Sequence, residues 1–234
     1  MMTFNLQYLP YVVAGLALAS FLIGSLPFGL WVGLAKGVDI RTLGSRNIGA
    51  TNVLRVLGPM PGALVFILDT LKGAVGILIA RQFIFELSSD PVKSAHPLSM
   101  PYLVLIGLCA VLGHTFSPFL KFKGGKGIAT SLGVLLALSG QVALVGIGIW
   151  VVCVAITRYV SAASLLAALI LPVASFFLLK DLERTWMLGL TIGLLVLVTV
   201  KHRANIGRLL HGTEPKFGQR VAAPAPAEEG AVHE

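Results

Sequence analysis

The sequence predicts an all-α membrane protein that crosses the bilayer about seven times, with its amino terminus outside and its carboxyl terminus in the cytoplasm. Hydrophobic residues make up 56% of the 234 residues and charged residues only 12%, about half the charged share of soluble domains. The mean hydropathy is +0.88, and the apolar residues fall in long runs separated by basic segments. A soluble globular enzyme and a disordered chain are therefore excluded.

The apolar runs give the crossings in order. The first begins near residue 10 and ends at Lys36, the first charged residue, and a basic, glycine-rich loop follows over residues 36–62. The later runs, with a loop at 86–100 and a charged turn at 180–184 between them, cover residues 63–85, 101–120, 128–157, 161–179 and 185–200. Residues 1–217 are expected to form one membrane domain, and residues 218–234 a disordered tail.

The run over residues 128–157 decides the topology. A single helix over these thirty residues would be about 45 Å long, which exceeds the hydrocarbon core of roughly 30 Å. Ser139, Gly140 and Gln141 favour a break into two crossings, although residues 128–138 must then be tilted, partly re-entrant or buried by neighbours. Two crossings put the basic loop before this run and the basic tail on one side, which agrees with the positive-inside rule. The opposite side keeps only Arg81, Lys93, Lys180 and Arg184.

Three polar segments differ from ordinary membrane loops. The first, GSRNIGATNVLR at residues 44–55, places Ser, Thr, Asn and Arg between glycines. Small residues let backbone N–H groups approach an anion, hydroxyls and amides add donors, and arginine binds phosphate through a bidentate fork. A solvated loop that only sets topology is the alternative, and the density of donors favours an anion site.

The second segment, GHTFSPFLKFKGGKGIAT at residues 113–130, has Lys126 among three glycines just before an apolar helix. Anions bind favourably at a helix N-terminus. The residue after Lys126 is glycine, so the segment is not a Walker A loop. Composition alone leaves open a lysine cluster that anchors the helix to lipid headgroups. His114 by itself is typical of a structural histidine.

The third segment covers residues 201–216. On a helix, His202, Asn205 and Arg208 share part of one face. A basic stop at the cytoplasmic end of a membrane helix has the same composition, and for this segment alone that interpretation is the favoured one.

Other chemical signals are scarce. Asp69 and Lys72, three residues apart in the second apolar run, are interpreted as an ion pair within one helix. The sequence has no His or Cys ligand spacing and no acidic cluster, so neither a metal nor a cofactor is expected. Phe119 stands five positions after His114, where acyl-CoA-type glycerolipid acyltransferases have aspartate.

The three segments, GSRNIGATNVLR, GHTFSPFLKFKGGKGIAT and HRANIGRLLHGTE, resemble the signature motifs of the bacterial acyl-phosphate:glycerol-3-phosphate acyltransferases, the PlsY family. Their order and spacing match, and the hydropathy pattern agrees over about residues 10–216. The resemblance implies an enzyme of the bacterial inner membrane that acts at the cytoplasmic surface. It transfers a fatty acyl group from acyl phosphate to the 1-hydroxyl of glycerol 3-phosphate, the first acylation of phospholipid synthesis. The expected partners are these two substrates and the bilayer, with no nucleic acid.

The resemblance also implies site residues. The catalytic set is Ser45, Arg55, Lys126, His202 and Asn205. The substrate-binding set is Asn47, Gly49, Thr51, Asn52, Gly124, Gly125, Gly127, Arg208 and Glu214. We expect Arg55 and Lys126 to neutralise phosphate charge and the hydroxyl to attack acyl phosphate directly, without an acyl-enzyme. The base is either the departing phosphate or His202.

Arg46 departs from the family pattern, in which Gly-Ser-Gly-Asn is usual. If this position has a positive φ, an arginine there is strained by about 1 kcal/mol or more. If it does not, Arg46 adds a further cation near the phosphates.

Two other classes of protein fit part of the pattern. A transporter or channel for phosphorylated anions would place its site near the bilayer midplane between inverted repeats, whereas the donor-rich segments here lie at helix ends. A CDP-alcohol phosphotransferase would need an aspartate cluster with metal, and the three segments contain none.

Overall fold

The computed structural model describes residues 8–87 and 100–219, and within these residues all regular structure is helical. The α-helices are α1 (Leu9–Gly24), α2 (Phe28–Leu34), α3 (Ala50–Leu57), α4 (Pro59–Leu87), α5 (Met100–Thr115), α6 (Ile128–Leu138), α7 (Gly140–Thr157), α8 (Val160–Leu178), α9 (Asp181–Lys201) and α10 (Arg203–Leu210). A 3₁₀ turn covers Pro118–Leu120.

Six spans in the described residues are long and apolar enough to cross a membrane. They are Leu9–Leu34, Pro59–Phe83, Met100–Leu120, Gly140–Thr157, Val160–Leu178 and Asp181–Lys201. The expected polytopic, all-α class is therefore confirmed. The first span is bent at residues 25–27, where Pro27 has no N–H to donate. Lys72 Nζ donates to the carbonyl of Leu26 at 2.7 Å, which satisfies a backbone group near the bend.

The apolar run over residues 128–157 is two helices, as predicted. Ser139 is extended, with φ −150°, and separates α6 from α7. The short α6 runs beside α4 in the same direction. Gly73 lies against the carbonyl of Thr130, and eight residues further along both helices Arg81 Nη2 donates to Leu138 O at 3.3 Å. Most of the 11 residues of α6 are buried, so burial by neighbouring helices is what accommodates this short segment.

The prediction of a loop over residues 36–62 was partly wrong. It contains α3, and α4 begins at Pro59. The glycine-rich, polar composition concealed a short amphipathic helix, whose inner face carries the buried residues Asn52, Val53 and Arg55. Half of the first polar segment is therefore helical.

Two further boundaries differ from the sequence prediction. The charged turn expected at residues 180–184 is mostly the first turn of α9. The negative charges of Asp181 and Glu183 interact favourably with the positive end of the helix dipole there. The basic tail contains α10. Residues 88–99, within the loop predicted at 86–100, and residues 220–234, within the tail predicted to be disordered, lie outside the described residues.

Small residues bring neighbouring helices into close contact. Gly24 of α1 lies against the backbone of Ala110 in α5, and Gly113 of α5 lies against the carbonyl of Phe21. A Cβ at either glycine would fall less than 3 Å from that backbone. Close helix contacts through small residues are typical of membrane bundles.

Candidate active site

The three polar segments meet at one end of the bundle. Lys126 Nζ on the second segment donates to Asn205 Oδ1 on the third, and Arg55 Nη2 on the first donates to the carbonyl of Pro215 at 3.1 Å. A cavity of about 690 Å³ has walls from all three segments and from α6, α7, α8 and α9. The loop before α6 and the tail after α9 meet here, so both lie on the same side of the membrane. An even number of crossings must then separate them, and α6, α7, α8 and α9 supply four.

Asn52 organises the loop of the first segment. It is 2% exposed, and its Oδ1 accepts the backbone N–H of Ser45 at 2.8 Å. Its Nδ2 lies 3.0, 3.1 and 2.8 Å from the carbonyls of Ile40, Leu43 and Asn47. Asn52 therefore lines the cavity, as its predicted substrate-binding role requires, but its polar atoms hold the loop that carries Ser45.

Arg46 lies in the same loop with φ +56°. This is the left-handed region, in which residues with a side chain other than Asn or Asp are strained. The first of the two alternatives for this position is therefore the correct one. A glycine would fit this backbone without strain, whereas Arg46, whose side chain is exposed, is strained there.

Arg55 places a positive charge in the cavity wall without a carboxylate partner. The residue is 5% exposed, and its Nε has no hydrogen-bond partner. In the part of the chain that the structure describes, no ion pair joins Arg55 to an acidic side chain. Burial lowers the pKa of Arg55, but an arginine starts so high that it stays charged. The guanidinium is thus arranged to receive an anion.

Lys126 lies at the entrance to α6. Gly127, with φ +79°, is the N-cap of that helix and also lines the cavity. Burial lowers the pKa of Lys126 to about 8. Glu214 opposes this shift, and the positive charges of Arg208 and Arg55 add to it. Lys126 therefore carries its charge at neutral pH and loses it under mildly alkaline conditions.

Gly124 and Gly125 pack against α5 and are absent from the cavity wall. A Cβ at Gly124 would fall 2.0 Å from the carbonyl oxygen of His114, and one at Gly125 would fall 2.1 Å from its Nε2. The N–H of Gly125 donates to the His114 carbonyl at 3.1 Å. These glycines let the loop lie on His114 and so place Lys126.

The ion pair predicted within α4 is present. Lys72 Nζ lies 2.7 Å from Asp69 Oδ1, and both side chains are buried. His114 Nδ1 lies 3.8 Å from the same carboxylate oxygen. The three residues form a buried polar group beneath the loop that carries Lys126.

Glu214 joins the third segment to α8. Its Oε1 accepts hydrogen bonds from Ser161 Oγ at 2.7 Å and Asn205 Nδ2 at 2.6 Å, and its Oε2 accepts one from Arg208 Nε at 2.7 Å. Burial alone would raise the pKa of Glu214, but the bonds from Asn205, Ser161 and Arg208 hold it below its ordinary value. The carboxylate therefore stays ionised and orients the amide that receives Lys126.

His202 occupies the junction between α9 and α10 and is 2% exposed. Its Nδ1 lies 2.8 Å from the carbonyl of Val198. A carbonyl can only accept, so Nδ1 carries the proton and Nε2 keeps its lone pair. Burial, together with the charge of Lys126, lowers the pKa of His202 to about 4. The ring is neutral at pH 7 and can accept a hydrogen bond or a proton.

The rest of the cavity is mainly apolar. Its wall between the membrane helices includes Leu132, Leu135, Ile147, Trp150, Leu171 and Leu194. Alanines and glycines on α7 and α8, among them Gly146 and Ala167, leave room between these larger side chains. One end of the cavity can therefore hold an anion, and the remainder can hold a hydrocarbon chain.

The structure brings most of the predicted site residues together. Those in the cavity wall are Ser45, Asn47, Gly49, Thr51, Asn52, Arg55, Lys126, Gly127, His202, Asn205 and Glu214. Gly124, Gly125 and Arg208 are absent from the wall. Three residues that were not predicted from the sequence, Ser161, Trp150 and Phe217, also line the cavity. The sequence signal for Ser161 was its position, three residues after Arg158 and at the start of an apolar run.

Fold and site define an integral membrane protein with an internal site for an amphiphile that carries an anionic group. A family model described as glycerol-3-phosphate acyltransferase matches residues 14–212. The glycerol-3-phosphate acyltransferase of Fusobacterium nucleatum subsp. nucleatum is 44% identical over 199 residues, 85% of this chain and 94% of that protein. That of Nostoc sp. is 45% identical over 210 residues, 87% and 91% of the two chains. The chain belongs to the glycerol-3-phosphate acyltransferase family, which confirms the resemblance found in the sequence.

Solved structures agree with this assignment. The crystal structure of PlsY (YgiH), an integral membrane glycerol 3-phosphate acyltransferase, in its glycerol 3-phosphate form has a TM-score of 0.77 and 41% identity. The match covers 88% of this chain and 96% of that one. The lysophosphatidic acid form of PlsY has a TM-score of 0.75 and 40% identity, with 89% and 96% covered.

Asn52→Asp is expected to lower the free energy of unfolding by about 3 kcal/mol, since a carboxylate oxygen would face three carbonyls in place of a donor. Thermal unfolding in detergent measures this loss. Asn47→Asp is the matched control, because it keeps the acceptor for the N–H of Gly49 at 2.9 Å. Equal losses in the two variants would contradict the role given to Asn52.

Arg46→Gly is expected to leave the free energy of unfolding nearly unchanged. Relief of about 1 kcal/mol of strain offsets the added freedom of the unfolded chain. Lys36→Gly, at an exposed position without a positive φ, should lose about 0.5–1 kcal/mol. An equal loss at both positions would show that Arg46 is not strained.

Proposed function

We propose that the protein transfers a fatty acyl group from acyl phosphate to the sn-1 hydroxyl of glycerol 3-phosphate, giving 1-acyl-glycerol 3-phosphate and inorganic phosphate. The observation that carries this proposal is the cavity, which is cationic where the three polar segments meet and apolar between the helices. Both substrates carry phosphate, and one also carries a long hydrocarbon chain. The family relatives, named for glycerol 3-phosphate, support the acceptor.

The cationic end suits two phosphates held side by side. Arg55, Lys126 and Arg208 supply three positive charges, and Glu214 supplies one negative charge. This excess favours bound anions, and burial strengthens each interaction. The N-termini of α3 and α6, at Gly49 and Gly127, add N–H groups at the same cavity. Ser45, Asn47 and Thr51 complete the donors of the first segment.

The chemistry follows from an already activated donor. The acceptor hydroxyl oxygen attacks the acyl carbonyl carbon, the carbon–oxygen bond to phosphate breaks, and phosphate leaves. The hydroxyl proton passes to the departing phosphate or to His202 Nε2. Arg55 and Lys126 stabilise the charge on the leaving phosphate. Holding both reactants in one cavity supplies much of the rate, so no acyl-enzyme is required.

We also propose that the cavity faces the cytoplasm of a bacterial cell and that the amino terminus lies outside. The support is the distribution of positive charge. Lys121, Lys123, Arg158, Arg203 and Lys216 lie on the loops and helix ends at the cavity end of the bundle, and the positive-inside rule assigns such an end to the cytoplasm.

Purified protein in lipid bilayers, given acyl phosphate and glycerol 3-phosphate, should release phosphate only when both are present. Arg55→Ala and Lys126→Ala should each lower kcat/KM by about 10²–10³-fold, since each removes a charge at the leaving group. Lys121→Ala, which removes an exposed cation outside the cavity wall, should retain activity. Acyl-CoA as donor should give no turnover.

Two results would contradict these proposals. A folded preparation without turnover would reject the enzymatic function. An acyl group trapped on Ser45 would reject direct attack while leaving the overall reaction in place.

The basic limb of the pH profile should belong to Lys126. Its lowered pKa means that the ammonium is present below about pH 8 and is lost above it, so kcat/KM for glycerol 3-phosphate should fall as the pH rises through this value. Lys126→Arg should keep its charge and remove this limb, whatever its maximal rate. Lys123→Arg is the control, and an unchanged limb in Lys126→Arg would refute the assignment.

A further inference from the structure

Residues 214–218, here called the carboxyl strap, lie across the site after α10. The strap carries Glu214 at its start, and Phe217, near its end, lines the cavity. Pro215 O accepts the hydrogen bond from Arg55 Nη2. One short segment therefore carries the buried carboxylate of Glu214, contacts Arg55 and lines the cavity.

Arg158 fastens this strap to the turn between α7 and α8. The N–H of Phe217 donates to the Arg158 carbonyl at 2.7 Å, and Arg158 Nη2 donates to the Phe217 carbonyl at 3.0 Å. One residue thus engages both backbone groups of Phe217. Among the described residues, two others reach the backbone of the strap: Arg55 Nη2 donates to Pro215 O, and Gln219 bonds both backbone groups of Lys216. Next to Arg158, the ring of Tyr159 lies 5.7 Å from Lys216 Nζ.

The position of Arg158 is not an ordinary helix end. Its φ of +63° lies in the left-handed region, which favours glycine. Its side chain is exposed and makes no ion pair within residues 8–87 and 100–219. Glycine would suit the backbone at this C-cap better, but it would lack the guanidinium that reaches Phe217.

We propose that Arg158 is a positioning residue, which holds the carboxyl strap in place and thereby keeps Glu214 against Asn205 and Arg208. Arg158 lies outside the three polar segments and is absent from the cavity wall, so it acts through the strap. This inference rests on the proposed function, because its readout is the acyl transfer reaction.

The strap has a consequence for Lys126. The charged and titratable groups that act on Lys126 and its neighbourhood are Glu214, Arg208, Arg55 and His202, and of these only Glu214 favours the charged ammonium. A loosened strap withdraws the Glu214 carboxylate. The pKa of Lys126 then falls further, and the basic limb of the pH profile moves to lower pH.

The test compares Arg158→Gly and Arg158→Ala with Lys36→Ala, which removes an exposed cation away from the strap. Arg158→Gly deletes the guanidinium and relaxes the backbone, so it folds even if Arg158→Ala does not. We expect KM for glycerol 3-phosphate to rise about fivefold, the loss of one net hydrogen bond, with a smaller change in kcat. The basic midpoint should move down by about half a pH unit.

A double variant separates positioning from a general loss of structure. Because Arg158 acts through Glu214, adding Arg158→Gly to Glu214→Gln should change KM and the pH midpoint no further. An additional, multiplicative loss would overturn the proposal, and so would an Arg158→Gly enzyme that matches Lys36→Ala. Absence of turnover in the unmodified enzyme would instead reject the proposed function, so the two failures are distinguishable.

Discussion

The geometry of the site depends on the hydrogen bonds that one buried carboxylate, that of Glu214, accepts. It receives hydrogen bonds from Ser161, Asn205 and Arg208, which lie on α8 and α10. Through Asn205 it reaches Lys126 on the loop before α6. Without this negative charge, the positive charges of Lys126, Arg208 and Arg55 would repel one another. The carboxylate lets these cations lie close to one another, but it does not neutralise all of them, and the remaining positive charge is available to phosphate.

The membrane imposes a second constraint, because polar groups at this depth need protein partners. The structure meets it with local supports beneath each segment. Asn52 binds the backbone of the first loop, and His114 lies directly under Gly125. Both residues lie at the cavity wall, yet their contacts are mainly with the protein. The site is therefore built before any ligand arrives, which reduces the ordering needed on binding.

The crossings and the three polar segments could be predicted because hydropathy and motif composition are local properties of the sequence. The even number of crossings after Lys126 followed from the length of the run over residues 128–157, its break at Ser139 and the distribution of positive charge. The helix α3 was missed because its glycine-rich surroundings resemble a loop. Ser161 was missed because its partner Glu214 lies 53 residues away, and no local pattern records that contact. The supporting role of Gly124 and Gly125 likewise depends on α5, which folds against them from another part of the chain.

The brevity of α6 bears on how the protein is made. An apolar segment of 11 residues is too short to span a bilayer as an independent helix. Its buried side chains pack against α4 and α5, and α7 returns directly from its end at Ser139. During biosynthesis α6 therefore depends on helices that precede it and on the hairpin that it forms with α7. The N-terminal end of this same helix carries Gly127 beside Lys126, so the site is completed only after insertion of the whole bundle.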